Sequence, residues 1–319
     1  MKYKLRYDFG IYNEYFSVWM SKIYRSSLEY CNMMYGCNPV YELQIYELQI
    51  KEFMNYVEDY LFYFYKFNRE MLVGIFERLV ELKCIGILPY EKRGVFGYTE
   101  SGIVYVNPNM EVSRTRLTIC HELGHIVNQE WESWFEKFID LQYKNPSDGI
   151  RRTEDDLVLC ILGMRLLDEA LTVDCSESIA SYYNLRARSR FVSKRGPLFN
   201  GRVYETNFSD VYGEMQMPAI NFAKLFFELS NENNFEALNK FFIESLNKDF
   251  LPTLIEEYGL NTLLELLKPL GIIHQACYET FGQNDSRYRG SIDKSSLALK
   301  KFNNLVSQLR EDKSKIKRK

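Results

Sequence analysis

The 319-residue sequence predicts an α+β protein, mostly α-helical, with a small β-sheet packed on one helix and helical regions on either side. Three observations predict it. Apolar residues recur at helical spacing over most of the chain, and the period turns β-like between Pro89 and Pro108. Just beyond that point, His121-Glu122-Leu123-Gly124-His125 lies in a run of helical pattern.

Taken in order, residues 11–88 carry apolar positions at mixed helical spacing, as in Gln49 to Leu61 and Arg69 to Leu82, and read as helical. Within them Tyr41-Glu42-Leu43-Gln44-Ile45 is duplicated as Tyr46-Glu47-Leu48-Gln49-Ile50, too short a unit for a repeat architecture. Gly94 to Thr99, a Glu100-Ser101-Gly102 turn and Ile103-Val104-Tyr105-Val106 are rich in β-branched and aromatic residues, which predicts a hairpin. Ser113 offers an N-cap for a helix from Arg114 to around Gln129. A polar break at Lys144 to Gly149 precedes a second long helix, from about Thr153 to Tyr183. Arg186 to Pro197 is a basic connection, and Asn200-Gly201 with a further glycine, Gly213, makes 199–218 irregular or hairpin-like.

From Ala219 to Leu309 the pattern is helical again, with breaks at Asn231 to Asn234, Pro252, Pro269-Leu270-Gly271 and Gly282 to Asp285. The expected organisation is a helical N-terminal region, 1–88, a core, 89–190, a mainly helical C-terminal region, 191–312, and a basic tail, 313–319. No Gly/Ser linker follows residue 88, so the first region can be continuous with the core.

Composition narrows the class. Hydrophobic residues at 46% and charged residues at 26% suit a soluble globular chain and exclude a disordered or collagen-like one. Forty Lys and Arg against 43 Asp and Glu leave a formal charge of −3, so nucleic acid and anionic membranes are not favoured as partners. Seven cysteines without a CxxC pair read as free thiols of a reducing compartment. Charge interrupts the N-terminus before a signal-peptide core forms, and no stretch approaches a membrane span, so a cytoplasmic location is expected. Walker A, GxGxxG and GxSxG patterns are missing, which leaves nucleotide, dinucleotide and serine-hydrolase functions without support.

The chemistry is concentrated in His121 to His125. Positions i and i+4 of a helix share a face one turn apart, so both imidazoles can reach a single zinc ion. Glu122 lies beside that face, where a carboxylate can take a proton from a metal-bound water instead of ligating the ion. The chain has only 3 histidines, and two of them hold these positions. Apolar flanks at Leu117, Ile119, Leu123, Ile126 and Val127 predict a buried helix, in which ionisable side chains need partners or a metal. The third histidine, His274, stands in an apolar segment and reads as a core residue more readily than as a ligand.

Ile103 to Pro108, followed by Arg114-Thr115-Arg116-Leu117-Thr118-Ile119-Cys120-His121-Glu122-Leu123-Gly124-His125, resembles the strand and active-site helix of the ImmA/IrrE family of zinc metallopeptidases. The resemblance covers about 25 contiguous residues and implies a zincin-like core. It also implies that an edge strand at 102–107, through Ile103, Val104, Tyr105 and Val106, binds substrate backbone as an added strand.

Leu166 to Thr172 resembles the segment that supplies the glutamate ligand in gluzincin-type peptidases, which implies Glu169 as third ligand, with Glu177 as the fallback. The acidic residue often found four positions after that ligand is replaced here by Val173, and Asp174, one further on, is the candidate second-shell residue that would orient a histidine. The implied activity is hydrolysis of a protein or peptide substrate, with Glu122 as base and Tyr204 or Tyr212 as candidate oxyanion donors. Two other readings stay open: a non-catalytic zinc protein that binds a partner, with Cys160 or Cys175 closing the site, and a proteolytic toxin or defence effector with the same centre.

Overall fold

A computed structural model describes residues 12–35, 77–88, 96–107, 118–119, 121–128, 139, 149, 152–186, 217–225, 241, 244, 250–280 and 287–316. These are mostly helical with one three-stranded sheet, the α+β class expected from the sequence. None of the described helices is long and apolar enough to cross a membrane. The chain divides into two compact units, Met1–Val127 with Cys175–Gly196, and Asn128–Asp174 with Pro197–Lys319.

In the first unit, helix α1 (Tyr12–Tyr35) buries Trp19, Met20, Ile23 and Ser27, which helical periodicity brings onto one face. Strands β1 (Cys84–Ile87), β2 (Gly97–Glu100) and β3 (Ile103–Val106) form the sheet in the order β1-β3-β2. The predicted hairpin is β2 and β3, paired antiparallel from Gly97↔Val106 to Glu100↔Ile103. Its two-residue turn has positive φ at both Ser101 (53°) and Gly102 (79°), the type I′ geometry whose twist matches that of the strands.

One expectation about this sheet is overturned. Residues 103–106 are its central strand, paired with β2 on one side and in parallel with β1 on the other, so Ile103, Val104, Tyr105 and Val106 offer no edge to a substrate. The reason is β1, a strand inside the stretch read as helical. Cys84-Ile85-Gly86-Ile87 is too short to carry a period of its own. The outer side of β1 is covered by α1: the amide of Ile85 donates to Ser27 Oγ at 2.9 Å, and Ser27 donates to the Ile23 carbonyl at 2.7 Å. Tyr30 of α1 lies over Gly86 and meets Tyr105 edge-on, with centroids 6.3 Å apart, while Tyr98 stacks on Tyr105 at 4.5 Å. On the other face, Val104 and Val106 are fully buried, and their β2 partners Thr99 and Gly97 meet Glu122 of helix α2 (121–128), with Gly97 also against Thr118.

The second unit is helical among its described residues. Helix α3 (Glu154–Arg186), which belongs to this unit as far as Asp174, starts at Thr153, whose hydroxyl accepts the amide of Asp156 at 3.2 Å, and Glu154, Asp155 and Asp156 suit the positive end of its dipole. Beyond α4 (217–225) come α5 (Phe250–Tyr258), α6 (Leu260–Thr280) and α7 (Arg287–Ile316). Gly259, at φ 81°, provides the left-handed step between α5 and α6. Helices α3 and α6 pack backbone to backbone: a Cβ on Gly163 would overlap the Leu267 carbonyl, and one on Gly271 the Leu159 carbonyl. Ala298, Phe302 and Val306 form the buried stripe of α7, which packs on α6.

The break expected at Pro269-Leu270-Gly271 does not occur, because α6 runs through it. An internal proline costs a helix about 3 kcal/mol, and burial of Leu266, Leu267, Leu270 and Ile273 around it outweighs that cost. Pro252 lies in the first turn of α5, where no helical hydrogen bond is lost.

Candidate metal centre

Helix α2 lays His121 and His125 side by side, each half-buried, with their rings at 89° and Nε2 atoms 3.0 Å apart. Two nitrogens on one tetrahedral zinc, each about 2.05 Å from the ion, stand roughly 3.3 Å apart, so the pair needs little adjustment to share a cation. Glu169 of α3 completes the set. Each of the three offers a ligand atom, and these atoms lie within 4.8 Å of one another, forming the one such group among the described residues. Two imidazoles and a carboxylate can hold a metal ion, and a three-donor set leaves a coordination position open.

Glu122, between the two histidines in sequence, is only 4% exposed. Its Oε2 accepts from the Thr99 hydroxyl of β2 at 2.8 Å, a bond that offsets part of the cost of burying the carboxylate. The buried Arg78 guanidinium donates to the Val127 carbonyl of α2 at 3.0 Å, tying residue 78 to the helix that carries the two histidines. Arg78, Thr99 and Gly97 are contributions that sequence reasoning missed. A period of two along 97–99 would have put Gly97 and Thr99 on one face, whereas nothing near Arg78 signals its partner, 49 residues on.

Glu169 sits among buried neighbours, Asp168, Ala170 and Leu171, and its backbone carbonyl accepts from Thr172 Oγ1 at 3.0 Å. His274 of α6 is outside the ligand group and 7% exposed. Burial lowers its pKa to about 4; Glu169 nearby pulls upward, and Arg165 pushes further down. Its ring is therefore neutral at physiological pH.

Cys160 is also outside the group. Its thiol donates to the Leu264 carbonyl at 3.5 Å, and burial pushes its pKa up to about 12. Asp174 and Glu177 belong to the backbone of α3, but their side chains, like that of Cys175, lie outside the described residues, as do Tyr204 and Tyr212 entirely. Cys84, Cys160 and Cys277 are buried free thiols.

No family model, no curated protein and no solved structure matches the chain.

Proposed function

We propose that this protein is a zinc-dependent metallopeptidase that hydrolyses a peptide bond of a specific intracellular protein. The observation that carries this reading is the convergence of His121, His125 and Glu169, with the buried acid Glu122 next to the first of them in the same helical turn. His121, His125 and Glu169 would hold the ion, which supplies a Lewis acid and an acidified water at the open position. Glu122, beside the ligand pair in sequence, would serve as the proton acceptor and donor of the hydrolysis. Resemblance of the 103–125 segment to ImmA/IrrE-type peptidases agrees with this chemistry.

Because β3 is internal, the substrate strand is better placed along β2, the outer strand among the described residues, which carries Thr99 against Glu122. Of the two thiols that could close a structural zinc site, Cys160 is engaged with the Leu264 carbonyl and lies outside the ligand group, and the side chain of Cys175 lies outside the described residues. A proteolytic toxin or defence effector would use the same residues and differ only in its target.

The decisive experiment pairs metal analysis with a comparison of cellular proteins in cells carrying wild type or Glu122→Gln. One equivalent of zinc in both proteins, with a cleavage product made only by wild type, is the expected result. Cleavage by Glu122→Gln at the wild-type rate would falsify the mechanism.

A further inference from the structure

The charge of the chain is segregated. Residues 287–319 hold 11 of its 40 Lys and Arg but 3 of its 43 Asp and Glu, so this segment carries +8 in a chain whose total is −3. Helix α7 makes up almost all of it. From Lys294 to Arg310 the helix has four cations and no carboxylate, between Asp293 on one side and Glu311 on the other. Its inner face is committed to the fold: Ala298, Phe302 and Val306 are buried, and the Asn303 side-chain oxygen accepts from the Asn221 side-chain amide of α4 at 3.1 Å. The outer face meets solvent. Lys294, Lys300, Lys301, Asn304 and Gln308 are exposed, as is Leu297, and the helical period collects them on an arc of about 120° away from the buried stripe. Among the described residues none of the three lysines has an ion pair.

We propose that this outer face of α7 docks the phosphate backbone of a DNA duplex, without sequence preference, through Lys294, Lys300 and Lys301. Residues 294–308 extend about 21 Å along the helix axis, and a duplex presents roughly one negative charge per 1.7 Å, so the lysines can meet several phosphates together. Asn304 and Gln308 add neutral donors of the kind that contact phosphate and sugar beside lysine. The major groove of B-form DNA is wide enough to admit a helix, whereas that of A-form RNA is deep and narrow. Single strands are held by stacking on aromatic rings, and the exposed stripe has none. An anionic membrane needs an apolar face free to sink into the headgroup boundary, and that face of α7 is already buried in the protein. Leu297 alone does not replace it. The total charge averages over this segregation, which is why composition disfavours a partner that the fold presents a surface for. The surface shares no residue with the metal centre and does not rest on the reading of that site.

The test titrates the full chain into a fluorescein-labelled DNA duplex of mixed sequence and follows fluorescence anisotropy between about 50 and 200 mM salt. Wild type is expected to bind, with affinity falling against salt at a log–log slope of about −3 or steeper, close to one unit per lysine. Lys300→Gln combined with Lys301→Gln keeps good helix formers at exposed positions; it should bind about tenfold more weakly, with a slope shallower by about 2. Lys294→Gln alone should weaken binding about threefold. Lys300→Arg with Lys301→Arg should match wild type. So should Lys22→Gln with Arg25→Gln, which removes the same charge from exposed positions on α1. Absence of duplex binding by wild type, wild-type affinity in either α7 glutamine variant, failure of the arginine variant, or equal weakening by the α1 variant overturns the assignment. Tighter binding to an oligo-dT strand or an RNA duplex of equal length, or to phosphatidylserine vesicles, overturns duplex DNA as the partner, as does displacement of the duplex by polyglutamate at equal charge.

Discussion

Gly163 of α3 and Leu267 of α6 approach so closely that the glycine has no space for a Cβ before the Leu267 carbonyl, and Gly271 stands in the same relation to Leu159. Alanine in a helix is normally better than glycine by about 1 kcal/mol. Here the clash is with backbone, which cannot rotate away, and overpacking costs of about 1–3 kcal/mol or more apply. Gly163→Ala and Gly271→Ala are each expected to lower the unfolding free energy by a net of roughly 1 kcal/mol or more, read as a lower urea midpoint at an unchanged m-value. A midpoint at or above that of wild type would mean that the two helices are not in backbone contact.

Ligand identity is testable residue by residue. His121→Ala, His125→Ala and Glu169→Ala each remove a member of the group and should weaken zinc binding by about 100-fold or more, beyond what loss of an outer-shell contact brings. Glu177→Ala should leave affinity unchanged, and Asp174→Ala should cost at most about tenfold. Chelator competition measures all five. Strong loss in Glu177→Ala with little in Glu169→Ala would move the third ligand one helical segment along α3.

The helix of His121 and His125 and the hairpin were legible in the sequence because each rests on a local rule. His121 and His125 need only the helical period, and the turn at Ser101-Gly102 needs only residues that tolerate positive φ. What escaped depends on tertiary packing. Strand β1 gains its identity from pairing with β3, and Pro269 stays within α6 because the apolar surface around it is buried. The role of 103–106 was misread for the same reason: whether a strand is an edge or a centre is decided by a neighbour far away in sequence. Glu169 was reachable only through its likeness to a known ligand segment, since no spacing rule ties it to His125.

Ser27 holds α1 against the sheet. Its hydroxyl is fully buried, accepts from the Ile85 amide and donates to the Ile23 carbonyl. Ser27→Ala takes the acceptor from a buried backbone amide, which costs about 1–3 kcal/mol. Amide hydrogen exchange at Ile85 should accelerate together with that loss of stability. Unchanged protection at Ile85 would show that α1 does not close the β1 edge.

His274 should make stability depend on pH in a defined window. Its folded pKa, lowered by burial to about 4, lies below the ordinary histidine value of 6.5. Between those values the unfolded chain binds a proton that the folded one refuses, so the contribution is fully present above pH 6.5 and is lost progressively as pH falls to about 4. At about 1.4 kcal/mol per pKa unit, the loss is about 3 kcal/mol. Glu169 and Arg165, the charged groups that act on the ring, have opposing effects, which leaves burial as the dominant cause. Urea midpoints of metal-free protein at pH 7 and pH 4 measure the change, and His274→Gln should remove that part of the slope while lowering stability at neutral pH. A variant with the wild-type slope would mean that the acid sensitivity arises elsewhere, and that the α6 imidazole meets water more freely than its burial implies.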